Sequence, residues 1–375
     1  MTPFRLNVPQ AALDDLRERL SRTRWPERET VDGWQQGVPL AAAQALCDYW
    51  RDHYDWRRCE AMLNGLGQHR TTIDGLGIHF LHVRSSNPGA LPLILTHGWP
   101  GTVVEFHKVV GPLTDPEAHG GRAEDAFHVV APSLPGYGFS DRPTEAGWSV
   151  ERIAQAWTTL MRRLGYHRFV AQGGDWGAII TSALGQIAPA ELAAIHINMA
   201  LGYPNEDEMA SLTLKEQKAL DDVKRFRAEG QGYLAEQSTR PQTLGYGLAD
   251  SPAGQAMWIY EKFREWADCG GDPLNTFSYD ELLDNITIYW LTNTGASSAR
   301  LYWESVHVHG SLTPTVPTGA TVFPGEPFRP SRAWAARKYP DLRYWNEVDR
   351  GGHFAAFEQP EVFVDELRSA FRAFR

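Results

Sequence analysis

Three short stretches of this 375-residue chain hold residues that could do chemistry. The first is GGDWG, Gly173 to Gly177. Its frame is G-x-S-x-G, in which the glycines allow a sharp strand-to-helix turn that lifts a nucleophile above the sheet edge. Here an aspartate, Asp175, stands where the serine would be. A carboxylate with a pKa of about 3.9 is ionised at neutral pH and needs no base to become a nucleophile. It attacks carbonyls poorly, but it can displace a leaving group from saturated carbon. The ester so formed must then be hydrolysed, which requires a general base and an oxyanion hole. A lone GGDWG is also what a surface turn would show, so the other two stretches decide.

The second stretch is DRGGHFAAFEQPE, where Gly351 and Gly352 let a loop carry His353 to the sheet edge. It follows the nucleophile in chain order, as a base does in a nucleophile–acid–histidine arrangement, and it would activate water. Glu326 in VFPGEPF ends the preceding strand, 27 residues before His353, and a carboxylate there would hold the imidazole tautomer and stabilise its cation. Asp341 and Asp349 also lie in that interval, but neither follows a strand of the required kind. The third stretch is HGWPG, His97 to Gly101. It would bring the Trp99 backbone N–H beside the elbow, and with the Trp176 N–H at the helix start it would bind an oxyanion.

The elements that must position these groups are legible around them. In residues 9–24, Leu13, Leu16 and Leu20 recur at i, i+3 and i+7, an amphipathic helix. The chain up to residue 68 is rich in Trp and Pro and reads as an arm wrapped over a larger body. TTIDGLGIHFLHV, 71–83, reads as a hairpin about Asp74-Gly75. Strands are expected at 91–98, 127–136, 169–175 and 192–200, with helices at 149–164 and 176–187 between them. Such alternation implies an α/β fold with a mostly parallel central sheet and helices on both faces. From 202 to 314 helical patterns dominate, which we read as a lid inserted into a core of 69–201 and 315–375, with 1–68 as the arm. Strands resume at 320–326 and 343–353, and a last helix follows Pro360.

Composition narrows the partners. A net charge of −10 with scattered arginines offers no basic stripe for nucleic acid. Three cysteines, Cys47, Cys59 and Cys269, show neither a disulfide framework nor metal-ligand spacing, so no metal or other cofactor is expected and a reducing, cytoplasmic setting fits. The N-terminus lacks an apolar export segment, and no apolar run of roughly 18 residues suggests a membrane anchor. The 14 tryptophans serve packing, or an aromatic-walled pocket for an apolar substrate.

Taken together, HGWPG, LPGYGFSDRP (134–143), GGDWG, STRPQTLGYGLADSPAG (238–254), RGGHFAAFEQP (350–360) and the arm's FRLNVPQAALDDLRERL resemble the epoxide hydrolases of the α/β-hydrolase fold, and among them the microsomal type. The resemblance spans nearly the whole chain. It implies Asp175 as nucleophile, Glu326 and His353 as the charge-relay pair, and two lid tyrosines, Tyr233 and Tyr302, that donate to the epoxide oxygen. The residues alone leave Tyr233, Tyr246, Tyr260, Tyr279, Tyr289 and Tyr302 as alternatives. A donor is needed on physical grounds: the alkoxide expelled is about as basic as hydroxide, with a conjugate acid near 15.7, against a tyrosine pKa of about 10. The implied reaction uses a small apolar epoxide and water, without cofactor, giving a diol, in detoxification or aromatic hydrocarbon catabolism. A homodimer is left open. Mammalian relatives of the type begin with an anchoring helix and this chain does not, so a protein free of the membrane is expected. Two other readings are weighed: a haloalkane dehalogenase using the same Asp and His, and a catalytically silent binding protein of the same fold. The lid tyrosines and arm argue against the first, and the full set of catalytic groups against the second.

Overall fold

A computed structural model describes residues 1–308 and 311–375. Residues 309 and 310, which fall within the expected lid, lie outside the described residues. Nine strands form one sheet among the described residues: β1 (Thr2–Pro3), β2 (Gln68–Ile73), β3 (Leu76–Val83), β4 (Leu91–Thr96), β5 (Phe127–Pro132), β6 (Phe169–Gly173), β7 (Leu192–Ile197), β8 (Thr318–Val322) and β9 (Leu342–Glu347). Their spatial order is β1-β2-β3-β5-β4-β6-β7-β8-β9. The first three pairings are antiparallel and the other five parallel. β5 lies to one side of β4 and β6 to the other, so the connections reverse direction between β4 and β6. In open α/β sheets such a reversal opens a crevice at the carboxyl ends of the strands, where ligands bind.

Side-chain alternation fills both faces of the sheet. Leu93, Leu95, Val129, Ala131 and Val170 point to one side, where they pack with Val109, Leu113, Phe363 and Leu367 of helices His107–Thr114 and Pro360–Phe371. Ile94, Val130, Phe169, Ala171 and Ile195 point to the other and pack with Ile153, Trp157, Ile180 and Leu184 of helices Val150–Arg163 and Trp176–Ile187. These runs read as continuously apolar because both faces are covered. The β2–β3 hairpin turns at Asp74 and Gly75, with φ 49° and 80°, the two positive values that a tight two-residue turn of this hand requires.

The strands carrying site loops end sooner than their apolar runs suggest, at Gly173, Ile197 and Val322. The arm is also more regular than its composition implied. Besides Gln10–Ser21 it forms helices Leu40–Asp52 and Trp56–Asn64, and Thr2–Pro3 adds an edge strand to β2. Ala43, Leu46, Cys47 and Trp50 form the buried stripe of Leu40–Asp52, at the i, i+3, i+4, i+7 spacing of an amphipathic helix.

Between β7 and β8 the described chain is helical, in segments that include Leu214–Arg225, Gly232–Thr239, Pro241–Asp250, Pro252–Trp266, Tyr279–Thr292 and Gly295–Ser305. No helix among the described residues is long and apolar enough to cross a membrane. Ser278 and Glu281 form a capping box that starts Tyr279–Thr292. That helix ties the arm to the core. Its buried Asp284 accepts hydrogen bonds from Tyr54 Oη at 2.7 Å and Arg58 Nη2 at 2.6 Å, and Asp280 accepts from Tyr49 Oη at 3.2 Å. Asp284→Ala should strand the buried Tyr54 hydroxyl and cost about 1–3 kcal/mol. Urea denaturation would show this as a lowered midpoint, and an unchanged midpoint would mean that the arm is held by apolar packing alone.

Candidate active site

The elbow is built where β6 meets helix Trp176–Ile187. Asp175 takes φ 51° and ψ −128°, a left-handed setting that costs a non-glycine residue about 1–3 kcal/mol. Close packing holds it there: a Cβ on Gly177 would overlap the Thr96 carbonyl, and one on Gly98 would overlap the Asp175 side chain. β4 and β6 are parallel neighbours with Thr96 opposite Gly173, so the HGWPG loop leaves the sheet directly beside the elbow. The Trp99 N–H donates to Asp175 Oδ1 at 2.7 Å. Trp176 occupies the first helical position after Asp175.

His353 and Glu326 arrive from the adjacent strand ends β9 and β8. The His353 Nδ1–H donates to Glu326 Oε2 at 2.9 Å, and its Nε2 lies 3.4 Å from Asp175 Oδ2. The His353 backbone N–H donates to the Trp266 carbonyl at 2.9 Å, and the Trp266 ring meets the imidazole edge-on at 4.9 Å. Both His353 and Glu326 are buried. Burial disfavours the imidazolium, but Glu326 and Asp175 together outweigh it and hold the His353 pKa well above its ordinary 6.5. The resting site therefore holds His353 as an imidazolium between Glu326 and Asp175.

Tyr233 on Gly232–Thr239 and Tyr302 on Gly295–Ser305 line a cavity of about 490 Å3 with Asp175 at its floor. Ile179, Met199, Phe226 and Phe328 supply apolar wall. The Tyr233 ring lies flat on Trp99 at 5.0 Å and 8°, Tyr302 meets Trp176 edge-on at 4.8 Å, and the two tyrosine rings are 5.9 Å apart. Burial above all pushes both phenol pKa values well above 10, helped at Tyr233 by the Asp175 charge and at Tyr302 by Tyr233 and then Asp175, so both remain protonated. The other four tyrosines are used elsewhere. Tyr289 donates to the Gly101 carbonyl at 2.9 Å, Tyr260 packs on Trp34, Tyr279 packs on Tyr49, and Tyr246 is exposed.

Several residues that hold the site in place do not stand out in the sequence. Asn285 Nδ2 donates to the Pro100 carbonyl at 2.7 Å, and Thr102 Oγ1 donates to Asn285 Oδ1 at 3.0 Å. One helix, Tyr279–Thr292, thus grips the HGWPG loop through Asn285 and Tyr289 and the arm through Asp284. The signal available was a polar residue inside the apolar run NITIYW. His97, the first residue of HGWPG, is a scaffold. Its Nδ1 faces the Gly98 carbonyl at 2.9 Å and its Nε2 accepts from the Leu134 N–H at 3.2 Å, while burial lowers its pKa to about 4. Asp341 is spent on an ion pair with Arg343 at 2.8 Å.

A carboxylate on a strained strand–helix elbow, faced by a histidine–glutamate pair and a backbone donor from the neighbouring strand, places this chain among the α/β-hydrolases, with an aspartate at the elbow position. Comparison with known proteins agrees. Residues 1–106 match the family model "Epoxide hydrolase N terminus" and residues 92–246 match "alpha/beta hydrolase fold". A Stigmatella aurantiaca protein provisionally named as an epoxide hydrolase is 59% identical, over 100% of this chain and 86% of its own. Epoxide hydrolase 1 of Oryctolagus cuniculus is 35% identical, over 97% of this chain and 87% of its own. The crystal structure of juvenile hormone epoxide hydrolase from Bombyx mori superposes with a TM-score of 0.91 at 32% identity, covering 100% of this chain and 94% of that one. The chain belongs to the epoxide hydrolases, in the microsomal-type branch that carries this N-terminal region.

Asp175→Asn removes one of the two charges that raise the His353 pKa. A histidine NMR titration should give a lower pKa in that variant than in the wild type, and equal values would contradict the coupling.

Proposed function

We propose that the protein converts a bulky apolar epoxide and water into a vicinal diol in two covalent steps. The observation that carries this reading is the division of labour on Asp175: Oδ1 is held by the Trp99 N–H, while Oδ2 is left between the imidazole and the cavity. In the first step Asp175 attacks an epoxide carbon from behind, and the C–O bond breaks. The oxygen takes a proton from Tyr233 or Tyr302, and a hydroxyalkyl ester remains on Asp175. An ordinary phenol, with a pKa of about 10, is a far stronger acid than the alcohol formed, near 15.7, which favours this proton donation.

Alkylation removes the Asp175 charge, and with it one cause of the high His353 pKa, so the imidazolium releases its Nε2 proton to solvent, to be recharged from solvent after turnover, and the step that creates the ester also readies its base. His353, held by Glu326, then takes a proton from water, and the hydroxide adds to the ester carbon. The oxyanion rests on the Trp99 and Trp176 N–H groups, which are worth about 3–4 kcal/mol per donor in a comparable protease site. As the intermediate collapses, His353 returns its proton to the departing diol. The regenerated Asp175 carboxyl ionises and replaces the proton that the tyrosine gave up.

The apolar walls and the cavity of about 490 Å3 support a bulky apolar substrate. Three buried, unpaired thiols are what a reducing compartment allows and support a cytoplasmic setting, and a role in detoxification or aromatic hydrocarbon catabolism would fit an apolar epoxide substrate. The helical segment bearing both tyrosines acts as the lid over 202–314, on a core of 69–201 and 315–375.

With excess styrene oxide, His353→Gln should accumulate enzyme heavier by one epoxide in intact mass spectra, and Asp175→Ala should not. If His353→Gln stays unmodified, the two-step assignment fails. Tyr233→Phe and Tyr302→Phe should each slow alkylation, and the double variant should lose on the order of 10²–10⁴-fold. Wild-type alkylation by the double variant would remove the tyrosines from the mechanism.

A further inference from the structure

One carboxyl group in the site has no part in the mechanism above. Glu105 follows HGWPG in the turn Val103–Phe106 and reaches back toward the nucleophile. A Cβ on Gly101 would coincide with the Glu105 carboxyl, so the last residue of HGWPG must be glycine for Glu105 to lie there. Among the described residues no hydrogen bond or ion pair is made by this side chain. A half-buried carboxyl held beside the carboxyl groups of Asp175 and Glu358 is unfavourable, and an apolar side chain of the same length would pack there without that penalty. Its position therefore points to a task.

Glu105 lines a second chamber behind Asp175, separate in character from the substrate cavity. Asp175, His353, Gln172, Gly174 and Asn198 share it, and its volume is about 20 Å3. A chamber needs roughly 10–15 Å3 on this measure, with two to four polar partners, to hold one water. The partners are present. Gln172 donates to Asn198 Oδ1 at 2.6 Å, but its own Oε1 is buried with no hydrogen-bond partner among the described residues. His353 reaches the same chamber from the side that faces Asp175 Oδ2.

We propose that Glu105 is a positioning residue of the hydrolytic step: it closes the chamber behind the ester and accepts the second O–H of the water whose first proton His353 removes. This rests on the two-step reading given above. Deletion of Glu105 should therefore slow release of the ester while leaving its formation alone. The charged groups that face Glu105 are Asp175, His353 and Glu358, the last from the short helix Ala355–Glu358. Burial above all, with help from Asp175 and Glu358 and against His353, pushes the Glu105 pKa up to about 8. At neutral pH it is an uncharged acid whose carbonyl oxygen accepts. As pH rises through that value it gains a negative charge beside the carbon where the oxyanion forms, and hydrolysis should slow.

The test separates the two half-reactions by rapid-quench single turnovers of styrene oxide, with the ester followed by intact mass. Glu105→Leu should form ester within about twofold of the wild-type rate and hydrolyse it on the order of ten- to a hundredfold more slowly. Glu105→Gln keeps an uncharged acceptor in the same shape, so it should hydrolyse at a near wild-type rate at pH 7 and lose the decline above pH 8. Wild-type hydrolysis by Glu105→Leu, equal slowing of both steps, or a Glu105→Gln protein that alkylates normally but hydrolyses no faster than Glu105→Leu would each overturn the proposal. A wild-type protein that turns over without any ester would instead overturn the reading on which the proposal rests.

Discussion

The structure depends on one strained residue. Asp175 stands at φ 51° between the end of β6 and the first turn of the following helix, and nothing in its own side chain favours that conformation. It is imposed by contact: the helix backbone at Gly177 touches the end of β4 at Thr96, closely enough that no Cβ would fit. That single approach lifts the carboxylate out of the sheet, aims the helix start at it, and brings the loop after β4 alongside. The strain of about 1–3 kcal/mol is small against a domain core, but large enough to demand such a frame. Helix Tyr279–Thr292 extends the frame outward, holding the HGWPG loop through Asn285 and Tyr289 and the arm through Asp284.

Within that frame the chemistry is a matter of charge bookkeeping around one imidazole. Glu326 and Asp175 both stabilise the imidazolium, and in the proposed mechanism only one of these charges would survive ester formation. On that proposal the site would change its proton affinity in the course of its own reaction. The tyrosines are held apart from this circuit, each against a tryptophan of the oxyanion region, Tyr233 on Trp99 and Tyr302 on Trp176. Burial keeps them protonated, the state in which a leaving oxygen can use them.

Much of this was legible in the sequence, because the groups concerned are tied to backbone features that leave a local mark. Glycines flank Asp175 and precede His353, HGWPG ends a strand, and Asp74-Gly75 closes a hairpin. The parallel strands could be located from their unbroken apolar runs, and their earlier ends at Gly173, Ile197 and Val322 could not, since no turn residue unique to the boundary marks where pairing stops. The choice of Tyr233 and Tyr302 over four other tyrosines was fixed by resemblance rather than by pattern, because nothing local distinguishes a phenol that faces a cavity from Tyr289, which faces a carbonyl. Asn285 and Glu105 went unnoticed for a related reason. Each matters through a partner more than a helix away or on another strand end, and spacing along the chain carries no trace of that.

The central claim is that Asp175 becomes covalently attached to the substrate and that water attacks the enzyme, not the epoxide. A single turnover of excess unlabelled enzyme with styrene oxide in ¹⁸O-water tests it most directly, with the Asp175 peptide and the diol weighed separately. The account predicts that the label appears in the Asp175 carboxylate and that the first diol carries the enzyme's own unlabelled oxygen. Label in the first diol, with an unlabelled Asp175, would contradict it.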